Sequence, residues 1–215
     1  MSDLKALEDL LKSDESEFKH FWGPTDIKYF GSSNRTIAFF EGIEKESALV
    51  LISQLYELDK FSDEPIYLVL NTEGGDVDSS LAILDCIKGL NSPVICLTTG
   101  ICASGGLIVL SACDYRIATE NCLFFYHQPI MSSIDVTSTS EIKSVDTLYT
   151  YYQIKLDQII KDKTKMNKKK WSENFEGKTS FYFDAKQALD FGFIDLIDVP
   201  PPKTQKIKIK RTKKK

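Results

Sequence analysis

Gly100-Ile101-Cys102-Ala103-Ser104-Gly105-Gly106, continuing through Leu107–Ala112, is the stretch whose reading decides the fold. The apolar run Val94-Ile95-Cys96-Leu97-Thr98 precedes it, and residues 104–112 read as an apolar helix. A strand that hands over to a helix through glycines leaves one serine, Ser104, on the turn between them. A helix start offers unpaired backbone N–H groups and the positive end of the helix dipole. A hydroxyl held there is placed to attack, and the N–H beside it can receive an oxyanion. Taken alone, the same pattern also describes an N-capping serine between glycines that permit close packing.

The flanking segments repeat the strand-to-helix pattern. Thr36–Phe40 reads as a strand, and from Glu44 to Leu58 the residues Ala48, Leu51, Ile52 and Leu55 have helical spacing. Ile66–Leu70 is a second strand, rich in residues that suit a buried sheet, and it runs into Asn71-Thr72-Glu73-Gly74-Gly75-Asp76. A helix through Val77, Leu81, Leu84 and Ile87 follows. Downstream lie two short strands, Tyr115–Ala118 and Leu123–Tyr126, the second ending at His127-Gln128-Pro129. Such alternation predicts an α/β fold with a mostly parallel sheet and right-handed crossovers. Ligands in these sheets sit beyond the carboxyl ends of the strands. Three loops fall there: Gly74-Gly75, Gly100–Gly106 and His127-Gln128.

Residues 140–166 read as the longest helix, with Ile142, Val145, Leu148, Tyr152, Leu156, Ile159 and Ile160 along one stripe. Lys168–Lys170 is expected to be an exposed basic patch near its end. Asp184-Ala185-Lys186-Gln187 has the pattern of a capping box, opening a short helix to Phe191 with Gly192 just past its end.

At 215 residues the chain suits one domain with small appendages: a divergent segment 1–34, a main domain 35–199 and a tail 200–215. No apolar run approaches the roughly 20 residues needed to span a bilayer. The first residues alternate charge and leucine, unlike a secretory signal, and Leu4, Leu7, Leu10 and Leu11 share a helical face. The five cysteines, an odd number without CxxC spacing, sit at core-like positions. Buried free thiols in a reducing, cytoplasmic compartment are expected, with no metal and no cofactor. Formal net charge is −4, yet the tail beyond Pro200-Pro201-Pro202 carries eight Lys and Arg, so the body is strongly acidic. A solvated tail is expected there rather than a nucleic-acid arm.

His20 and His127 are the only histidines, so candidate bases at neutral pH are few. His20 lies among charges and aromatics with no nucleophile nearby in sequence. His127 ends an apolar strand on the side of the sheet where Ser104 falls, so it is the candidate general base. An oxyanion needs donors in place before reaction, and the N–H groups of Gly75 and Gly105 are the candidates.

Asn71–Gly75, Gly100–Gly106 and Tyr126-His127-Gln128-Pro129 strongly resemble, in order and separation, three signature stretches of the Clp protease proteolytic subunit, ClpP. The similarity runs from about Arg35 to Asp195 and includes the closing Asp184–Asp195. The resemblance implies a spiral of ββα units with a long handle helix, as in the wider ClpP/crotonase group. It also implies serine endopeptidase chemistry on peptides or unfolded proteins. Subunits of the family form rings, typically heptamers and often stacked in pairs, that enclose the active sites. The nucleophile falls on Ser104, the base on His127, and the oxyanion donors on Gly75 and Gly105.

The chain departs from that pattern in four places. The family's histidine-orienting aspartate falls on Ser180 when aligned backward from Asp184, and on Lys178 when aligned forward from the long helix; neither is a carboxylate. The glycine-rich stretch after His-Gln-Pro is replaced by Ile130-Met131-Ser132-Ser133. The N-terminal segment does not resemble the axial loop that contacts an AAA+ unfoldase, and the lysine-rich tail has no counterpart. Two further readings stand beside the peptidase. One is a weak or inactive ring subunit with a structural role. The other is a crotonase-type acyl-CoA enzyme, suggested by Gly105–Ala118 but lacking a reason to pair Ser104 with His127.

Overall fold

The computed structural model describes residues 35–130, 138–166, 168–175 and 180–198. The readings made for segment 1–34, Met131–Ser133, Lys178 and the tail 200–215 lie outside the described residues.

Among the described residues seven strands form one sheet: β1 (Thr36–Phe39), β2 (Ile66–Thr72), β3 (Val94–Ala103), β4 (Tyr115–Ala118), β5 (Leu123–His127), β6 (Ser180–Asp184) and β7 (Leu196–Ile197). The order is β1-β2-β3-β4-β7, all parallel, while β5 pairs with β3 and, antiparallel, with β6. The helices are α1 (Lys45–Phe61), α2 (Val77–Gly89), α3 (Gly105–Ala112), α4 (Thr139–Lys163), α5 (Lys168–Asn174) and α6 (Ala185–Phe191). The expected mixed α/β fold and long helix are present.

Strand β2 illustrates how sequence becomes layer. Ile66, Leu68 and Leu70 are buried in the main core, and Thr72 is a buried polar residue at the end of the strand. Tyr67 and Val69 point the other way and join Ile95, Leu97 and Ile117 in a smaller cluster. Helix α3 is apolar except for Ser111, whose hydroxyl donates to Ile108 O, and every one of its residues is buried, as in a helix in the middle of a core.

The expectation that β3 ends at Thr98, with Gly100–Ala103 as loop, is corrected: β3 runs to Ala103. It bends at Gly100, which has φ +68°. Before the bend, Ile95–Thr98 pair with β4; after it, Ile101–Ala103 pair with β5. A Cβ at Gly100 would lie 2.9 Å from Asn71 Nδ2, and Asn71 Oδ1 accepts the Ile101 N–H at 3.3 Å. One strand therefore serves two neighbours, and this partner switch carries β5 to the site.

Helix α4 also differs from expectation. Of the stripe read from the sequence only Ile160 is buried, and Ile142 and Leu148 are 55% and 45% exposed. Residues 168–174 form a short helix, on which Lys169 is exposed as expected. Lys170 lies 3.2 Å from Asp190, Lys169 lies 3.9 Å from Glu173, and Trp171 between them is buried. Trp171 stacks on Phe175, which also touches the rings of Tyr126, Phe181, Phe183, Phe191 and Phe193 at 5.0–6.2 Å. The capping box at Asp184 and Gln187 forms as read, closed by Gly192 in the left-handed region. All five cysteines are buried and unpaired. Among the described residues, no helix is long and apolar enough to cross a membrane.

Candidate active site

Ser104 follows the last residue of β3 and precedes the first of α3. Its φ of +52° and ψ of −120° make it the non-glycine residue with positive φ among those described. Such a conformation costs about 1–3 kcal/mol and persists only where the surroundings impose it. Here they do. The Ser104 N–H donates to Phe125 O on β5 at 2.8 Å, and Ser104 O accepts from the Leu107 N–H at 3.0 Å. Ser104 makes no side-chain capping bond, so its hydroxyl is not consumed as an N-cap. A strained strand-to-helix turn that carries a serine is the setting in which a candidate nucleophile is sought.

The glycine turn after β2 packs against this one. Gly74 has φ +88°, and a Cβ there would lie 2.6 Å from Ala103 O and 2.7 Å from both Gly105 N and Ser104 Cβ. The turn is anchored by the Ile43 N–H donating to Gly74 O at 2.8 Å and the Asp76 N–H donating to Ile43 O at 2.7 Å. Both anchors bypass the Gly75 N–H. Gly105 is the first residue of α3, where an amide has no carbonyl one turn back. The two candidate oxyanion donors thus sit on turns in mutual contact.

His127 ends β5 and is partly buried. Its ring packs on Phe125 with centroids 5.2 Å apart, and Phe125 stacks on Tyr182 at 4.0 Å. Nδ1 lies 2.6 Å from Gln128 O. A carbonyl oxygen only accepts, so in that contact Nδ1 carries a proton, and in the neutral tautomer the lone pair lies on Nε2. Ser180 lies directly opposite His127 in the β5–β6 register, and Asp184, which caps α6, is four residues further along, opposite Leu123. The structure therefore brings the turns of Ser104, Gly75 and Gly105 together and carries β5 to them. Among the described residues no side-chain hydrogen bond joins Ser104 to His127, or His127 to Ser180.

Sequence reasoning missed the Gln128 carbonyl. A backbone atom leaves no residue-type signal, and its position depends on the chain turning after β5. It also missed Tyr126, whose hydroxyl donates to Asp157 Oδ1 at 2.7 Å behind the histidine strand. A tyrosine in an otherwise apolar strand was the available clue. Among the described residues, no three His, Cys, Asp or Glu side chains are grouped to hold a metal ion.

Comparison with known proteins agrees with this architecture. The family model for Clp protease matches residues 25–200. The chain is 32% identical over 163 residues to the ATP-dependent Clp protease proteolytic subunit 2 of Treponema pallidum, covering 74% of this chain and 80% of that protein. It is 33% identical over 170 residues to the ATP-dependent Clp protease proteolytic subunit 1 of Protochlamydia amoebophila, covering 76% and 80%. A solved structure of a ClpP1 point mutant from Listeria monocytogenes superposes with a TM-score of 0.68 at 25% identity, over 76% of this chain and 91% of that one. Matches of this extent, carried by a family model and by relatives above 30% identity, mean that the chain belongs to the Clp protease family.

Proposed function

We propose that this chain is a serine endopeptidase that hydrolyses peptides or unfolded protein inside an oligomeric chamber. One observation carries the reading: the bond from the Ser104 N–H to Phe125 O ties the strained serine turn to the strand that ends, two residues later, in His127. In the proposed reaction Ser104 Oγ attacks the peptide carbonyl while Nε2 of His127 takes its proton. The Gly75 and Gly105 N–H groups hold the oxyanion of the tetrahedral intermediate. Its collapse breaks the C–N bond, and His127 passes the proton to the leaving amine. Water then attacks the acyl-enzyme, with His127 again taking and returning one proton, and releases the acid. The contact between Ser104 and His127 forms as substrate binds, as such bonds often do. Ser180 holds the position from which a third group would support the imidazole.

The exposed apolar side chains on α4, Ile142, Leu148 and Ile154, support assembly with further copies of this chain. A ring, typically of seven and stacked in pairs, is the proposed form. The chamber lies in the cytoplasm in this reading, and an AAA+ unfoldase is not assigned as a partner.

A second reading, a weak or inactive ring subunit, draws on one feature. A serine rather than a carboxylate faces His127, and Nδ1 is held by a neutral carbonyl. A fluorophosphonate probe, combined with a mass measurement of the oligomer, separates the two. Labelling at Ser104 that disappears in Ser104→Ala and falls at least about 100-fold in His127→Ala supports the peptidase, since a general base contributes about 10²–10⁴. An intact oligomer that never labels leaves the structural subunit.

A further inference from the structure

Helix α4 reaches the chain neighbours of the candidate site residues through polar side chains. Tyr126, one residue before His127, points to the opposite side of β5, where it is buried. Its hydroxyl donates to Asp157 Oδ1 at 2.7 Å. Gln153 Nε2 donates to the same Oδ1 at 2.7 Å and to the Tyr126 hydroxyl at 2.8 Å, closing a triangle. Five residues before Asp157, Tyr152 donates to Asp78 Oδ1 at 2.7 Å, in the first turn of the helix that follows Gly75. The four-residue spacing of Gln153 and Asp157 brings those two side chains to one side of α4. Burial raises the Tyr126 phenol and the Asp157 carboxyl from their ordinary values. Apolar side chains would hold α4 without that desolvation, so the polar triangle contributes a defined geometry rather than adhesion.

We propose that Tyr126, Gln153 and Asp157 form a clamp that fixes the end of β5, and with it the His127 imidazole, against α4. The proposal rests on the reading of His127 as general base; the three are positioning residues that act through it. Neighbouring strand residues point to opposite faces, so any roll of the strand that frees Tyr126 swings His127 the other way. Misplacing a catalytic group by about 1 Å can cost about 100-fold in rate. Tyr126→Phe removes the link while its ring keeps its packing on Trp171 and Phe175, at 5.9 and 5.0 Å.

The test uses the full chain and a fluorophosphonate whose binding constant and inactivation rate are measured separately. Amide exchange over residues 126–130 is followed by mass spectrometry alongside. Tyr126→Phe is expected to lower the inactivation rate about tenfold, to leave probe binding and oligomer mass unchanged, and to speed exchange over 126–130. Asp157→Asn keeps an oxygen to accept from Tyr126 and should retain at least about half the rate, whereas Asp157→Ala should behave like Tyr126→Phe. A merely structural tyrosine would lower the melting temperature and leave the inactivation rate alone. A wild-type rate or unchanged exchange in Tyr126→Phe overturns the clamp. If the wild-type serine never labels, the peptidase reading fails by itself. Exchange then decides the clamp, faster in Tyr126→Phe supporting it and unchanged overturning it.

Discussion

Ser180 faces His127 across the antiparallel β5–β6 ladder. Directly opposed residues on such a ladder project from the same face, with Cβ atoms about 4.5–5.5 Å apart. A side chain at 180 is thus within reach of the imidazole, and a carboxylate there could stabilise the imidazolium that forms as Ser104 is deprotonated.

Ser180→Asp is therefore expected to raise the fluorophosphonate labelling rate of Ser104 by about tenfold or more. In a well-studied protease, replacing the histidine-orienting aspartate by asparagine lowered kcat by about 10⁴ through the wrong tautomer. Second-order labelling rates of the two chains at pH 7 make the comparison. An unchanged or lower rate would mean that the aspartate does not reach the ring.

Gly74→Ala should damage both stability and the serine turn. The added Cβ meets Ala103 O at 2.6 Å and the Gly105 amide at 2.7 Å, at a backbone φ of +88°. The positive φ alone costs about 1–3 kcal/mol in a non-glycine residue, and the clash acts on the atoms that flank Ser104. Thermal melts should show a lower midpoint and labelling should fall with it. A variant that melts and labels like the wild type would show that the two turns are not in contact.

Phe175→Ala removes the ring at the centre of the aromatic cluster that joins β5, β6, α5 and α6. Truncating a buried phenylalanine costs about 3–5 kcal/mol, which for a chain of this size lowers the melting temperature on the order of 10 °C. Calorimetry or circular dichroism checks the size of the drop. A change of only a degree or two would refute the packing.

Asp157 gives a pH dependence of definite sign. Burial raises its carboxyl above the ordinary 3.8, against lowering contributions from Tyr126, Lys161 and Gln153. The folded state then holds the proton more tightly than the unfolded one. Its contribution to stability is full below the unfolded value and is lost as pH rises through the folded one. Asp157→Asn does not ionise and escapes that loss. The melting temperature of Asp157→Asn relative to wild type should therefore climb as pH is raised from the ordinary carboxylate value through the elevated one. A difference that stays flat or falls over that window would contradict a raised carboxyl.

The sequence by itself determined the alternating strands and helices, the serine turn, the capping box at Asp184 and the three loops that meet at one end of the sheet. Each is written in local terms, as a period of apolar residues, a glycine where the backbone needs one, or a carboxylate three residues before an amide to cap. Only the tertiary structure decided the partner switch of β3 at Gly100, the register that sets Ser180 against His127, and the Gln128 carbonyl that holds Nδ1. The same holds for α4, where an apolar period looks alike whether it packs on its own domain or stays exposed, as Ile142 and Leu148 do. Strand register and side-chain partners are fixed by atoms distant in the chain. Their pairing energies exist only once the core has formed, so no window of neighbouring residues encodes them.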